Sequence, residues 1–312
     1  MGDGLNIPIA RTNLMKSDIE CVKDVLESGW LVQGKKVKEF EEKWSEFTGA
    51  KHSIAVTSCT SAMHLSLLAL NIKEGDEVIV PAFTWVSTAN VVEHIRGKVV
   101  FCDIDLDTFN LDTRILSTLI NSNTKAILPV HLFGLPAKIN EIMELADSNG
   151  IAVIEDAACG FGAKYFERHV GTFGHTGCFS FHPRKAVTTG EGGMITTNKD
   201  DIAEKIRRLR DHGANMSDLQ RHLGSKPYIL ADHSDAGYNQ RMTDIQASLG
   251  SAQMDRATEI LAERKKIAKK YDSDIGKLEW LKTPPTLVGF THSYQSYPCL
   301  FSPQEINLSN ID

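Results

Sequence analysis

Lys185 lies in the stretch Cys178–Thr196, CFSFHPRKAVTTGEGGMIT, between a short alternating aromatic run and an apolar run, close to Gly190, Gly192 and Gly193. Two strand-like segments joined by a Gly-rich loop would hold a lysine on a tight, backbone-defined connection. Its neighbours Phe179, Phe181, Ala186 and Val187 are apolar. A lysine among them is partly stripped of water, and its amine is freed as a nucleophile. Taken alone, the pattern equally describes a surface lysine on a hairpin.

A second stretch gives that lysine something to work with. Ile151–Ala158 reads IAVIEDAA. The apolar run Ile151–Ile154 suits a buried strand of a parallel sheet, and it ends in Glu155 and Asp156. In open α/β sheets the ligand crevice lies beyond the carboxyl ends of the strands, so an acid there is placed to meet a cation. An amine and a carboxylate at such an edge are what pyridoxal phosphate chemistry needs. The lysine forms an imine, and the acid keeps the pyridine nitrogen protonated as an electron sink. A third stretch, Thr57-Ser58-Cys59-Thr60-Ser61, opens a helix Ala62–Leu70. Small hydroxyl residues at a helix start offer an anion N–H groups, hydroxyls and a favourable dipole, though they also serve as ordinary N-caps. Trp85 follows the strand Glu77–Val80 and suits either core packing or cover for a flat ligand.

Positioning these groups requires an alternation of strands and helices, which the chain shows. Helices are expected at Ser17–Ser28, with Ile19, Val22, Val25 and Leu26 inward and Ser17 or Asp18 as cap, and at Lys36–Phe47, with Phe40 and Trp44 in the core. Strands are expected at Ser53–Val56, Val99–Asp103 and Lys125–Val130, with helices at Ser87–Ile95, Asp112–Ile120, Ile139–Ser148 and Asp200–His212. His131, closing one strand, reads as structural. Asn215–Ala236 reads as a surface excursion without a period. Thr243 should cap one long helix from Asp244 to about Asp274. The pattern is that of an α/β protein with a mainly parallel sheet.

Several of these segments, in order, resemble the DegT/DnrJ/EryC1/StrS family of sugar aminotransferases. They are SGWLVQGKKVKEFE, TSCTSAMHLSLLAL, GDEVIVPAFTWVSTAN, PVHLFG, IEDAACGFGAKY, VGTFGHTGCFSFHPRKAVTTGEGGMITTN and GYNQRMTDIQA. The resemblance runs from about Ile7 to the end of the chain. It implies an aspartate-aminotransferase-like fold (pyridoxal-phosphate fold type I): an N-terminal arm (1–14), a large cofactor-binding domain (15–250) and a smaller C-terminal domain (251–312) that looks truncated. It implies Lys185 and Asp156 as catalytic residues, the cofactor phosphate held by Thr60, Ser61 and Ser180, and Trp85 stacked on the pyridine ring. Asn239 would join the phosphate from the partner subunit of a homodimer with shared sites. The family commonly has Gly at Cys59, and Gln or His at Cys159, where the side chain contacts the cofactor's phenolic oxygen. Trp30 falls in a turn near the family's active site, and His182 either touches substrate or packs.

The activity so implied is transfer of an amino group from an amino acid, L-glutamate, to a keto carbon of a nucleotide-linked deoxysugar, in surface polysaccharide or glycoconjugate synthesis. Sugar 3-dehydratases of the same fold carry histidine in place of the lysine, and iron–sulfur relatives need clustered cysteines. A non-enzymatic protein retaining the fold is the remaining alternative. Bulk properties agree with a cytoplasmic enzyme. The 312 residues carry a net charge of −6, which gives no basic footprint for nucleic acid. The run Lys205–Arg210 (KIRRLR) reads as a solvated helix face. Six scattered cysteines read as reduced core or site residues. No signal-peptide pattern and no apolar run of ~20 residues suggest neither export nor a membrane span.

Overall fold

A computed structural model describes residues 8, 10–224 and 228–303 of the chain. It opens with α1 (Lys16–Ser28) and α2 (Lys35–Thr48), followed by β1 (His52–Val56) and α3 (Cys59–Ala69). Strands and helices then alternate through β2 (Glu77–Pro81), α4 (Ser87–His94), β3 (Lys98–Cys102), α5 (Thr113–Leu119), β4 (Thr124–Ile127), α6 (Ile139–Asn149) and β5 (Ala152–Asp156). A short hairpin, β6 (Lys164–Tyr165) and β7 (Arg168–His169), precedes β8 (Thr176–Ser180) and β9 (Gly193–Thr197). The helices α7 (Asp200–Arg210), α8 (Asp218–Leu223), α9 (Asp244–Met254) and α10 (Ala257–Ile275) follow, then the two-residue strands β10 (Leu281–Lys282), β11 (Phe290–Thr291) and β12 (Leu300–Phe301).

Seven strands form one sheet in the order β1-β9-β8-β5-β4-β2-β3. Only β9 runs against its neighbours. The central strands β2 and β5 are largely apolar, with acids only at their ends, because helices cover both faces of the sheet. On one face Phe40 and Trp44 of α2 meet Phe179 and Phe181, with Trp44 to Phe181 at 4.9 Å and Phe40 to Phe181 at 5.0 Å between ring centres. Each such fully buried ring contributes ~2–3 kcal/mol by leaving water. The lysine loop therefore stands on a rigid aromatic base. The start of α2 is capped from far along the chain. Asp244 of α9 accepts the N–H groups of Gly34 at 2.8 Å and Val37 at 3.0 Å. Thr243 and Gln246 form a capping box on α9, as its Thr-x-x-Gln spacing requires.

Six expectations need correction. α1 is capped at Met15, whose N–H donates to Asp18 Oδ2 at 2.8 Å, so Asp18 is the third residue of the helix and not its cap. Its expected inward face is divided: Val25 is buried, but Ile19 is 58% and Leu26 54% exposed. The helix at the hydroxyl cluster begins earlier than expected, at Cys59. The long C-terminal helix is two, broken at Asp255-Arg256, where Arg256 leaves helical geometry (φ −119°, ψ 23°). The basic run of α7 is not uniformly solvated. Arg210 is buried, and it pairs with Glu41 at 2.7 Å while donating to the Ala55 carbonyl. The excursion Asn215–Ala236 also contains the short helix α8, capped by Ser217.

Candidate active site

The sheet's registers bring the expected groups to one end. Val56 pairs with Gly193, and Gly193 pairs with Ser180. The end of β1, the start of β9 and the end of β8 therefore lie side by side, and Ser180 stands level with the loop that leads into α3. A Cβ on Gly193 would come within 2.4 Å of the Ser58 carbonyl carbon, so only glycine lets β9 pass so close to that loop. Ser58 caps α3 by accepting the Ser61 N–H at 3.0 Å, and Ser61 Oγ lies 2.8 Å from Thr57 Oγ1. The amides of Cys59 and Thr60, in the first turn, have no acceptor among the described residues. A helix start of this kind, ringed by hydroxyls, is an anion site in waiting.

Consecutive residues of a strand face opposite ways, and β5 uses this to separate its two carboxylates. Glu155 is fully buried and saturated. It accepts the N–H groups of Gly171, Phe173 and Gly174, each at 2.7 Å, and His131 Nε2 at 2.9 Å. His131 Nδ1 accepts the Ala137 N–H, so its proton is on Nε2 and points at Glu155. His131 is structural, as expected. Asp156 is equally buried, 3% exposed, but holds only two neutral donors: Thr88 Oγ1 at 2.9 Å and the Ala158 N–H at 3.0 Å. No cation pairs with it among the described residues. Cys59 Sγ stands 4.0 Å from it, and burial, followed by the charge of Asp156, pushes that thiol's pKa well up, so it stays neutral.

Lys185 is half-buried in the loop between β8 and β9. Its backbone N–H donates to the His182 carbonyl at 2.8 Å, and its Nζ lies 3.2 Å from Cys159 Sγ. Cys159 is three residues past Asp156, so the amine stands beside the turn that leaves the carboxylate strand. His182 turns inward on its own loop, with Nδ1 accepting the Arg184 N–H at 3.2 Å. Trp85 is 69% exposed, one turn ahead of Thr88. Among the described residues no hydrogen bond joins Trp85, Asn239 or Trp30 to Lys185. Trp30 packs on His222 at 5.1 Å. The Asn239 segment runs beside the phosphate-type loop of its own chain, where the Gln240 carbonyl accepts the Thr57 N–H at 3.2 Å.

Two elements of the site were not read from the sequence. Thr88, the hydroxyl donor to Asp156, follows Trp85 by three residues and was signalled only by its place at a helix start after a strand end. The segment Ser293–Ser296 crosses over from the C-terminal region. Ser293 donates to the Gly134 carbonyl at 2.9 Å through its N–H and to the Cys159 carbonyl at 3.3 Å through its hydroxyl. Gln295 Nε2 donates to the Arg184 carbonyl at 2.7 Å. No periodic pattern marks it.

Residues 12–311 match the model of the DegT/DnrJ/EryC1/StrS aminotransferase family. The chain belongs to this family. The spore coat polysaccharide biosynthesis protein SpsC of Bacillus subtilis is 38% identical over 291 residues, covering 93% of this chain and 75% of SpsC. A Streptococcus pneumoniae protein assigned to sugar amination, solved in its pyridoxal-phosphate form, superposes with a TM-score of 0.88 at 29% identity, covering 97% of this chain and 81% of that one. Helicobacter pylori PseC, an aminotransferase involved in the biosynthesis of pseudoaminic acid, superposes with a TM-score of 0.88 at 29% identity, covering 96% of this chain and 79% of that one. The fold is therefore that of the pyridoxal-phosphate sugar aminotransferases, fold type I, and pyridoxal 5'-phosphate is the family's cofactor. The residues present fit that group. A buried carboxylate without a cation suits a protonated ring nitrogen, and an open helix start ringed by hydroxyls suits a phosphate. No described helix is long and apolar enough to cross a membrane.

Proposed function

We propose that this chain transfers an amino group from an amino acid, L-glutamate, to a keto carbon of a nucleotide-linked deoxysugar, in the cytoplasm and toward a surface polysaccharide or glycoconjugate. The observation that carries the reading is Asp156, a buried carboxylate with neutral donors only, at the same sheet end as Lys185. The biosynthetic setting is supported by SpsC and PseC, whose names place them in spore coat polysaccharide and pseudoaminic acid synthesis.

When bound, the cofactor supplies an electrophilic carbon and a ring that accepts electrons. With the cofactor bound, Lys185 would hold it through its amine and would serve as the base and acid that moves a proton on and off the donor's α-carbon. Asp156 would face the ring nitrogen and favour its protonated form. A negative charge at contact raises that nitrogen's pKa by ~1–3 units. Thr88 aims the Asp156 carboxylate. Thr60, Ser61 and Ser180 hold the phosphate with the start of α3. Trp85 would cover the cofactor ring, and Cys159, beside the lysine amine, would contact its phenolic oxygen. Trp30 and His182 lie toward the sugar.

The site is completed by a second copy of the chain, whose Asn239 adds a neutral amide donor to the phosphate. Ile19, Leu26, Leu31 and Val32, exposed on and just after α1, support a large apolar contact between copies. Incubation with nucleotide-linked keto sugars and glutamate should give products heavier or lighter by the oxygen-for-amine exchange. Borohydride treatment followed by peptide mapping should leave the cofactor on Lys185, and a label on another lysine overturns the assignment. Shared sites have their own test. Lys185→Ala and Asn239→Asp should each be inactive alone, yet their mixed dimer should regain activity in one of its two sites. A mixed dimer as inactive as its parents, with both variants folded and dimeric, would place Asn239 in its own chain's site.

A further inference from the structure

The lysine loop borders a second space. A cavity of about 320 Å³ lies between residues 10–13 of the N-terminal arm, residues 183–186 of the loop, and α10. Lys185 lines it together with Arg11, Arg184, Arg256 and Arg264. Two of these guanidinium groups are engaged by the protein. Arg256 reaches the Asp18 carboxylate and, at 3.3 Å, the Asn13 carbonyl. Arg264 donates to the carbonyls of Tyr294 at 3.0 Å and Gln295 at 3.2 Å. Arg11 and Arg184 have no carboxylate partner among the described residues. The acids on this wall, Glu259 and Glu263, are exposed on α10, as Arg11 and Arg184 are on the arm and the loop, and no ion pair joins them to either arginine among the described residues.

Arg184 is held at both of its peptide groups. Its N–H donates to His182 Nδ1 at 3.2 Å, and its carbonyl accepts from Gln295 Nε2 at 2.7 Å. Arg264 in turn fastens the carbonyl of Gln295 itself. An exposed loop residue with no task would not need its backbone clamped from two directions, one of them more than a hundred residues away. The clamp sets the direction of the Arg184 side chain relative to Lys185, the very next residue. The arm brings Arg11 to the same space, crossing the loop where Thr12 Oγ1 faces the Pro183 carbonyl at 3.5 Å.

Two uncompensated guanidinium forks beside the reactive amine call for an anion. Such forks match carboxylate and phosphate alike. The cavity's size decides between them. At about 320 Å³ it stands at the lower end of ligand pockets and suits a dicarboxylic amino acid, not a nucleotide diphosphate with its sugar. We propose that Arg11 and Arg184 form the subsite for the carboxylates of the amino donor, directing its amino group at Lys185. This rests on the reading of Lys185 as the residue that carries the cofactor.

The test uses the cofactor-loaded full chain and glutarate, a dicarboxylate with no amino group to transfer. Glutarate binding is followed by calorimetry, with uridine diphosphate titrated in parallel. Arg184→Gln and Arg11→Gln should each weaken glutarate ~10- to 100-fold, the loss expected for one charge-assisted contact, and leave uridine diphosphate unchanged. Arg184→Lys should recover part of the loss, which separates charge from mere packing. In single half-reactions the donor concentration for half-maximal rate should rise in both Gln variants while the keto-sugar half stays the same. Unaltered glutarate affinity in folded Gln variants overturns the proposal, as does loss of uridine diphosphate binding in place of glutarate. A protein that binds glutarate in this arginine-dependent way but aminates no sugar would overturn the proposed function and leave the subsite standing.

Discussion

Glu155 and Asp156 are adjacent, both acidic and both buried, yet they inhabit opposite environments. Glu155 is met by four donors, three of them backbone amides of the Gly171–Gly174 turn and one the ring of His131. Its lone pairs are fully used, so it has nothing left to offer a ligand. Asp156 receives one hydroxyl and one amide, with a neutral thiol nearby. It is solvated just enough to remain in place and too little to be content without a cation. Saturation marks the structural acid, and incomplete satisfaction marks the functional one. Burial alone separates neither.

The comparison breaks most visibly if Glu155 is changed. In Glu155→Gln the volume is kept, but one acceptor oxygen becomes an NH₂ group pointed at donors. Two or more buried N–H groups lose their partner, at a cost of about 3–5 kcal/mol in unfolding free energy. Denaturant unfolding would read this. A loss below ~1 kcal/mol would mean that the carboxylate does not hold the Gly171–Gly174 turn. The neighbouring change has the opposite profile. Asp156→Asn should leave stability within ~1 kcal/mol, because the amide oxygen can still accept the Ala158 N–H and Thr88 can reverse its hydroxyl. Cofactor should stay bound, since the phosphate contacts lie elsewhere. Turnover should fall by at least ~100-fold, the consequence of removing ~2 units of bias on the ring nitrogen. Near wild-type turnover in this variant would return attention to Glu155.

Much of this arrangement is legible in the chain, and the rest is not, for definable reasons. The strand ending in Glu155-Asp156, the hydroxyl cluster at the start of α3, and Lys185 between β8 and β9 all follow from local pattern, because each is a strand end or helix start with its own residue signature. Which of two adjacent acids faces the site is not local. It depends on which face of β5 meets α3 and α4. The face of α1 shows a similar limit: Val22, Val25 and Leu26 share an amphipathic stripe, but periodicity cannot say whether the stripe meets this chain or another surface. The break between α9 and α10 involves Asp255 and Arg256, with no Gly or Pro to announce it. The Ser293–Ser296 crossing rests on single contacts to residues more than a hundred positions away, which no window of sequence contains.

A third change of condition, smaller than either substitution, sharpens the same contrast through pH. His169 ends β7, two residues before the first amide that binds Glu155, and is fully buried. Its Nε2 accepts the Gly162 N–H at 3.0 Å, so its proton sits on Nδ1 and donates to the Val170 carbonyl at 2.6 Å. Both ring nitrogens are used only by the neutral form. Burial lowers its pKa from an ordinary 6.5 to about 4. Below pH 6.5 the unfolded chain takes up this proton and the folded chain does not, so the folded state loses stability as pH falls, until both forms are protonated below about 4. Between pH 7 and 5.5 the loss from this one group is about 1 kcal/mol. His169→Gln retains a donor and an acceptor but cannot titrate, and its unfolding free energy should be flatter by that amount across the window. The loss belongs to the structural side of β5, because His169 supports the turn that saturates Glu155. The visible spectrum of bound cofactor should therefore titrate identically in wild type and His169→Gln. A spectral shift in the variant would mean that the two sides of the strand communicate, and that the separation between the saturated acid and the open one is less complete than their hydrogen bonds indicate.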